Sequence, residues 1–306
     1  MKILYAGSSQ SSSLILQSLI SSSNEVIGVI TKPDKRSKRD SIKEPSYVAK
    51  LAEKNNVVVF KPENLDQNFK KIITKYSYDI LLVVAYGKLL PEWLIKSSLK
   101  ETVNIHYSLL PKYRGASPIQ STILNNDKKT GISVMKMTSG LDEGPVFVYH
   151  ELKVLAPDNK NKLEQKLTSL CIKNIHKDLE NICEGKLIPK EQDAENISYC
   201  KKISKLSGKI IFDEERSENI FSKFKAYSGW PGLYFERKDL KIKIHGIADN
   251  NNKDDHLIPN KFYFTKKLLI AKTMNGSIVI THLQFPGKNV ITSEDAANSY
   301  ADFFRD

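Results

Sequence analysis

Hydrophobic positions in the first hundred residues alternate between two periods. Residues 2–7 are a short apolar run rich in β-formers, and Leu14, Ile15, Leu19 and Ile20 then recur at helical spacing. Strand character returns at 25–31, followed by a helical stretch over 46–55 and by Val57, Val58 and Val59. A second helical stretch over 66–76 leads into the apolar run 79–85. This order predicts a mostly parallel α/β sheet covered by helices on both faces, and right-handed crossovers make it Rossmann-like and doubly wound. The first turn, Gly7-Ser8-Ser9-Gln10-Ser11-Ser12-Ser13, lacks G-x-G-x-x-G. Those glycines let a backbone approach a pyrophosphate, so a dinucleotide site is disfavoured.

Further strands are expected at 102–104 and 131–137. Residues 161–184 predict a long amphipathic helix, with Leu163, Leu167, Leu170, Cys171, Ile175, Leu179 and Ile182 on one stripe and Gly185 as its C-terminal cap. The stretch 186–206 is polar and poorly periodic, which reads as a linker. Beyond 207 come short β-rich runs at 209–212, 233–235, 240–244, 262–264, 268–271 and 277–283, split by Gly, Asn and Asp. Their spacing suits a small OB-like β-barrel, with helices at 214–227 and 293–304. The expected division is a catalytic domain over 1–185, a linker over 186–206 and a barrel over 207–306.

Composition narrows the class. At 306 residues, with 40% hydrophobic and 27% charged residues, the chain is neither disordered nor fibrous. Its apolar runs are far shorter than the roughly 20 residues that cross a bilayer. Residues 1–7 read directly as a strand, so no signal or transit peptide is expected. Cys171, Cys183 and Cys200 are an odd set without C-x-x-C spacing, which argues for buried small hydrophobes over disulfides or a zinc site. The histidines show no paired ligand spacing, and no metal is expected. The excess of 47 Lys and Arg over 35 Asp and Glu, a net +12, suits a polyanionic partner.

One region is chemically dense. Asn104 and His106 stand at i and i+2 and so share a face of an extended strand. They fall at the carboxyl end of that strand, where open α/β sheets bind ligands. Pro111, Gly115 and Pro118 hold a rigid loop beside them, and Asp142 lies in a Gly-flanked turn from which it could reach a histidine. A second stretch, 32–43, carries Lys32, Lys35, Arg36, Lys38, Arg39 and Lys43 against only Asp34 and Asp40, between a strand and a helix.

The residues Asn104-Ile105-His106, Ser108-Leu109-Leu110-Pro111-Lys112-Tyr113-Arg114-Gly115 and Gly140-Leu141-Asp142-Glu143-Gly144 resemble the folate-dependent formyltransferase family, within it the branch that formylates methionyl-tRNA. The stretch 83–91 carries the same resemblance, and weaker likeness continues through 224–232, with Trp230-Pro231-Gly232. After Ala6-Gly7 the family usually continues Thr-Pro-x-Phe, whereas this chain has Ser8-Ser9-Gln10-Ser11.

The resemblance implies transfer of a formyl group from 10-formyltetrahydrofolate to the α-amino group of methionine on initiator tRNA, in translation initiation. It implies Asn104, His106 and Asp142 as the catalytic trio, and the Ser108, Leu109, Leu110 and Pro111 backbone with loop 83–90 as the folate pocket. It also implies Lys35, Arg36, Lys38, Arg39 and Lys43 as a tRNA-entering insertion, with the C-terminal barrel as a second tRNA contact. Arg114 is left with three partners to choose from: a phosphate, the folate glutamate tail or Asp142. A monomeric cytoplasmic enzyme is expected.

The chemistry is consistent with the residues. An α-amino group near pKa 7.7–8.0 supplies its own nucleophile, so none is needed from the enzyme. Asn104 and His106 would donate to the formyl oxygen, and Asp142 would orient His106 and help remove the amine proton. The competing readings are a sugar-nucleotide N-formyltransferase and an RNA-binding module without catalysis.

Overall fold

The computed structural model describes residues 1–36, 43–250, 258 and 260–305. Two compact units emerge from the contacts within it. The first comprises Met1–Pro118, Lys128–Leu155 and Lys162–Lys201; the second comprises Ile119–Asp127, Ala156–Asn161 and Lys202–Asp306.

The first unit is built on a seven-stranded sheet of β1 (Lys2–Gly7), β2 (Glu25–Ile30), β3 (Val59–Phe60), β4 (Ile80–Val84), β5 (Glu101–His106), β6 (Lys129–Lys136) and β7 (Val146–Lys153). The spatial order is β7-β6-β5-β4-β1-β2-β3. Strands β1 to β5 pair in parallel, and β6 and β7 add antiparallel to that edge. All five residues of β4 are buried, as are five of the six in β1, because helices cover both faces of a parallel sheet. The order reverses between β1 and β4, which places a crevice at their carboxyl ends.

Helices start where side chains satisfy the free backbone N–H groups of the first turn. Ser9 accepts from Ser12 N–H to start Gln10–Ile20, Ser46 from Ala49 N–H to start Tyr47–Lys54, and Asp66 from Phe69 N–H to start Gln67–Ile73. The serine-rich first turn is bonded internally. Ser8 Oγ lies 3.2 Å from Thr31 Oγ1, Ser11 Oγ donates to Glu164 Oε1 at 3.0 Å, and Tyr5 Oη donates to the Ser12 carbonyl at 2.7 Å. Helix Lys160–Cys183 buries Leu163, Leu167, Cys171, Ile175, Leu179 and Ile182, the predicted stripe except for the half-buried Leu170. Each such side chain contributes roughly 1.5–3 kcal/mol by leaving water.

Two expectations need correction. The 186–206 segment is not a free linker, since it belongs to the first unit as far as Lys201. Lys190 makes a two-bond antiparallel bridge with Val146, and Tyr199–Cys200 pairs in parallel with Arg114–Gly115. Its anchors are hydrogen bonds from polar groups, which leave no apolar period to read. Residues 209–212 also form no strand; Lys209 makes a single parallel bridge with Tyr234. Strand β7, which follows the Asp142 turn, is buried only at Val146 and Phe147 and turns half-exposed beyond them.

In the second unit the strands follow the order Leu233–Arg237, Leu240–Asp249, Ser277–Gln284, Leu268–Lys272, Phe262–Thr265, with Val290–Thr292 also pairing to Ser277–Gln284. Every pairing in it is antiparallel. The two end strands meet through rings: Phe235 and Phe262 lie 4.9 Å apart, and Phe212 sits 5.5 and 5.4 Å from them. The sheet therefore curls around an aromatic core. The Thr292–Asp295 capping box opens helix Ser293–Ser299. Residues 119–127 join this unit, where Ser222 Oγ donates to Asn126 Oδ1 at 3.0 Å.

Among the described residues no helix is long and apolar enough to cross a membrane. None of their His, Cys, Asp or Glu groups is arranged to hold a metal ion.

Candidate active site

Asn104 and His106 end β5, with Asn104 registered between Val83 of β4 and Met135 of β6. Extended geometry puts both side chains on one face, and Asp142 comes to them from the turn between β6 and β7. Asn104 Nδ2 is 3.5 Å from Asp142 Oδ1, and His106 Nδ1 is 3.6 Å from Asp142 Oδ2. Both separations lie at or beyond the long edge of hydrogen-bond range, so the two side chains are near Asp142 without being tied to it. His106 is only 6% exposed. Its other nitrogen, Nε2, stands 2.9 Å from the Tyr113 carbonyl. A carbonyl only accepts, so Nε2 carries its hydrogen and Nδ1 is the nitrogen turned toward Asp142.

The backbone around the trio is unusual. Ala85, Tyr113 and Asp142 have φ of 49°, 60° and 51°, the left-handed region that side chains disfavour. Such residues persist only where the surroundings over-determine them. Asp142 Oδ2 accepts the Gly115 N–H at 2.9 Å. Gly115 itself has φ 118°, and a Cβ there would stand 2.5 Å from the Cys200 carbonyl oxygen. A Cβ on Gly144 would meet the Lys136 carbonyl oxygen at 2.0 Å. The Gly-flanked turn is thus needed for close backbone approach as well as for its bend.

Among the residues expected to bind folate, the side chains of Ser108, Leu110 and Pro111 are buried and serve the loop's own fold, while Leu109 is half-buried. Ser133 Oγ accepts the Leu110 N–H at 3.0 Å and donates to the Ser108 carbonyl at 2.7 Å. Tyr86, two residues beyond β4, has a buried hydroxyl with no partner among the described residues. Burial pushes that phenol up to about 12, so it stays protonated.

Arg114 is 6% exposed and donates through Nε and a terminal nitrogen to Gln192 Oε1 at 3.0 and 2.8 Å. Gln192 links it to the Asp142 turn, since its Nε2 donates to the carbonyls of Asp142 and Gly144 at 2.9 and 2.8 Å. Sequence reasoning missed Gln192, because a lone glutamine in a polar run carries no spacing signal. Segment 190–201 also supplies Ser198, whose hydroxyl accepts the Tyr113 N–H at 2.9 Å, and Cys200, whose thiol donates to the Tyr113 carbonyl at 3.3 Å.

Lys35 and Arg36 pair antiparallel with Glu44 and Lys43, and the Lys35 and Lys43 side chains are exposed. Lys38 and Arg39 lie outside the described residues. The entry to this segment is braced at Lys61, whose Nζ stands 3.0 Å from Asp34 and 3.1 Å from Glu53.

Comparison with known proteins follows the same division. The model described as "Formyl transferase" matches residues 1–176, and "Formyl transferase, C-terminal domain" matches 202–301. Methionyl-tRNA formyltransferase of Sulfurihydrogenibium sp. is 36% identical over 306 residues, covering 98% of this chain and 97% of that one. The enzyme of the same name from Buchnera aphidicola is 34% identical, covering 100% and 98%. Among solved structures, the sugar 3N-formyltransferase WlaRD, determined with dTDP and 5-N-formyl-THF, is similar at a TM-score of 0.67 and 22% identity over 94% of this chain and 99% of that one. That last likeness is one of fold. With one family model spanning more than half of the chain and full-length relatives above 30% identity, this chain belongs to the formyl transferase family.

Proposed function

We propose that the protein transfers the formyl group of 10-formyltetrahydrofolate to the α-amino group of methionine on initiator methionyl-tRNA, in the cytoplasm. The observation that carries this reading is the convergence of Asn104, His106 and Asp142 in a chain aligned end to end with methionyl-tRNA formyltransferases. The substrate amine attacks the formyl carbon and forms the new C–N bond; the bond from that carbon to N10 of the donor then breaks, and N10 takes up a proton as tetrahydrofolate leaves. Asn104 Nδ2–H is a donor for the negative charge that collects on the formyl oxygen, and His106 becomes a second once its ring carries a proton on Nδ1 as well as on Nε2. Each such donor, fixed in advance, contributes roughly 2.7–4 kcal/mol to the transition state. Asp142 accepts the proton released by the amine, directly or through water, while the Gly115 N–H holds its carboxylate in place.

The buried Ser108, Leu110 and Pro111 side chains leave backbone for the folate contacts, and the orphan Tyr86 hydroxyl is a donor in the adjoining loop. Lys35, Arg36, Lys38, Arg39 and Lys43 contact tRNA phosphates, and the second unit supplies a further contact. The protein works as a monomer. Incubation with labelled 10-formyltetrahydrofolate and initiator methionyl-tRNA tests the reading: label appears as formylmethionine ester, and its absence with folded protein contradicts the assignment.

A further inference from the structure

We infer that Gln192 is a positioning residue for Asp142, acting from a segment that composition marks as linker. The inference rests on the catalytic trio proposed above. Gln192 spends its whole amide in one place. Both N–H bonds go to the carbonyls of Asp142 and Gly144, and Oε1 takes two bonds from the buried Arg114 guanidinium. The amide's orientation is fixed by chemistry, since the guanidinium only donates and the two carbonyls only accept. Gln192 therefore bridges the backbone of the Asp142 turn to Arg114, and the next residue, Gly115, binds the Asp142 carboxylate.

The bridge is anchored on both sides. Two residues before Gln192, Lys190 exchanges two backbone bonds with Val146, at 2.8 and 2.9 Å. Six residues after it, Ser198 accepts the Arg114 N–H through its carbonyl at 2.9 Å. Held this way, Gln192 keeps Asp142 in its left-handed conformation, φ 51°, which costs about 1–2 kcal/mol for an L-residue. Released from Gln192, the turn relaxes and carries the carboxylate away from His106 Nδ1, 3.6 Å distant in the intact site. A displacement of about 1 Å there lowers turnover by up to roughly 100-fold.

The test compares Gln192→Ala, Gln192→Glu, Asp142→Asn and the Gln192→Ala/Asp142→Asn double variant in the full chain, with 10-formyltetrahydrofolate and initiator methionyl-tRNA as substrates. Gln192→Ala is expected to lose roughly 10- to 100-fold in kcat while KM for the tRNA stays within about threefold. Gln192→Glu keeps an acceptor for Arg114, which supports folding, but sets a carboxylate oxygen against two carbonyls, so it falls at least as far. The double variant should be no slower than Asp142→Asn, because the effect passes through Asp142. Native turnover in Gln192→Glu, or a further full loss in the double variant, overturns the inference. Near-native turnover in Asp142→Asn instead overturns the trio, and the positioning role with it.

Discussion

Nε2 of His106 donates to the carbonyl of Tyr113 at 2.9 Å, which leaves Nδ1 as the nitrogen turned toward Asp142. In the proposed reaction Nδ1 is therefore the nitrogen that would meet the substrate. The amide nitrogen of asparagine can stand where Nδ1 stands, whereas that of glutamine reaches the Nε2 position. His106→Asn should therefore keep more turnover than His106→Gln, both below the native enzyme, with His106→Ala lower by about 10²–10³ from native. Folate binding should persist in all three. Steady-state rates decide the matter, and a glutamine variant faster than the asparagine variant contradicts the assigned tautomer.

Gly144→Ala should be costly, since the position is buried beside the Met135 side chain. Its Cβ would meet the Lys136 carbonyl oxygen at 2.0 Å, so backbone must move. Thermal unfolding should show a loss of about 1–3 kcal/mol. Turnover measured well below Tm should fall too, because the displaced turn carries Asp142. A variant with native stability and rate would show that the turn yields freely.

His150 and Asp178 give a pH dependence of stability. Desolvation by burial raises the Asp178 carboxyl, partly offset by its 2.8 Å contact with His150 Nε2. A carboxyl raised in the folded state favours folding at low pH and loses that advantage as pH rises through its folded value. His150→Ala removes the offset and raises Asp178 further. The variant should be destabilised by about 2–4 kcal/mol at pH 8 and distinctly less at pH 4.5. Equal shifts in Tm at the two pH values would show that the pair carries no buried charge.

Phosphate contacts by the basic segment would make tRNA use steeply salt-dependent. Replacing Arg36, Lys38 and Arg39 with Ala should raise KM for methionyl-tRNA and flatten the salt slope by up to about three counterions, with folate affinity nearly unchanged. Unaltered efficiency and slope across a salt titration would leave the segment a solvated surface feature.

The legible parts of the molecule share a physical cause. Strands β1 and β4 are visible because burial on both faces writes a continuous apolar run, and helix Lys160–Cys183 because burial on one face writes a period. Asn104, His106 and Asp142 stand out through the family resemblance, since spacing alone says only that the first two share a strand face and that the third lies in a Gly-flanked turn. Gln192, the Tyr113 carbonyl and the Ser198 hydroxyl are invisible, since they act through single hydrogen bonds between segments remote in sequence. Arg114 shows the limit from the other side: a buried charge is conspicuous, yet its partner lies 78 residues away.

The central claim concerns which amine is formylated, and a competition assay tests it most directly. Labelled 10-formyltetrahydrofolate is offered to the full chain with initiator methionyl-tRNA, elongator methionyl-tRNA and a dTDP-linked amino sugar in one mixture. The reading predicts that the label accumulates on the methionine of initiator tRNA, with a kcat/KM far above that for either competitor. Preferential labelling of the amino sugar would contradict it.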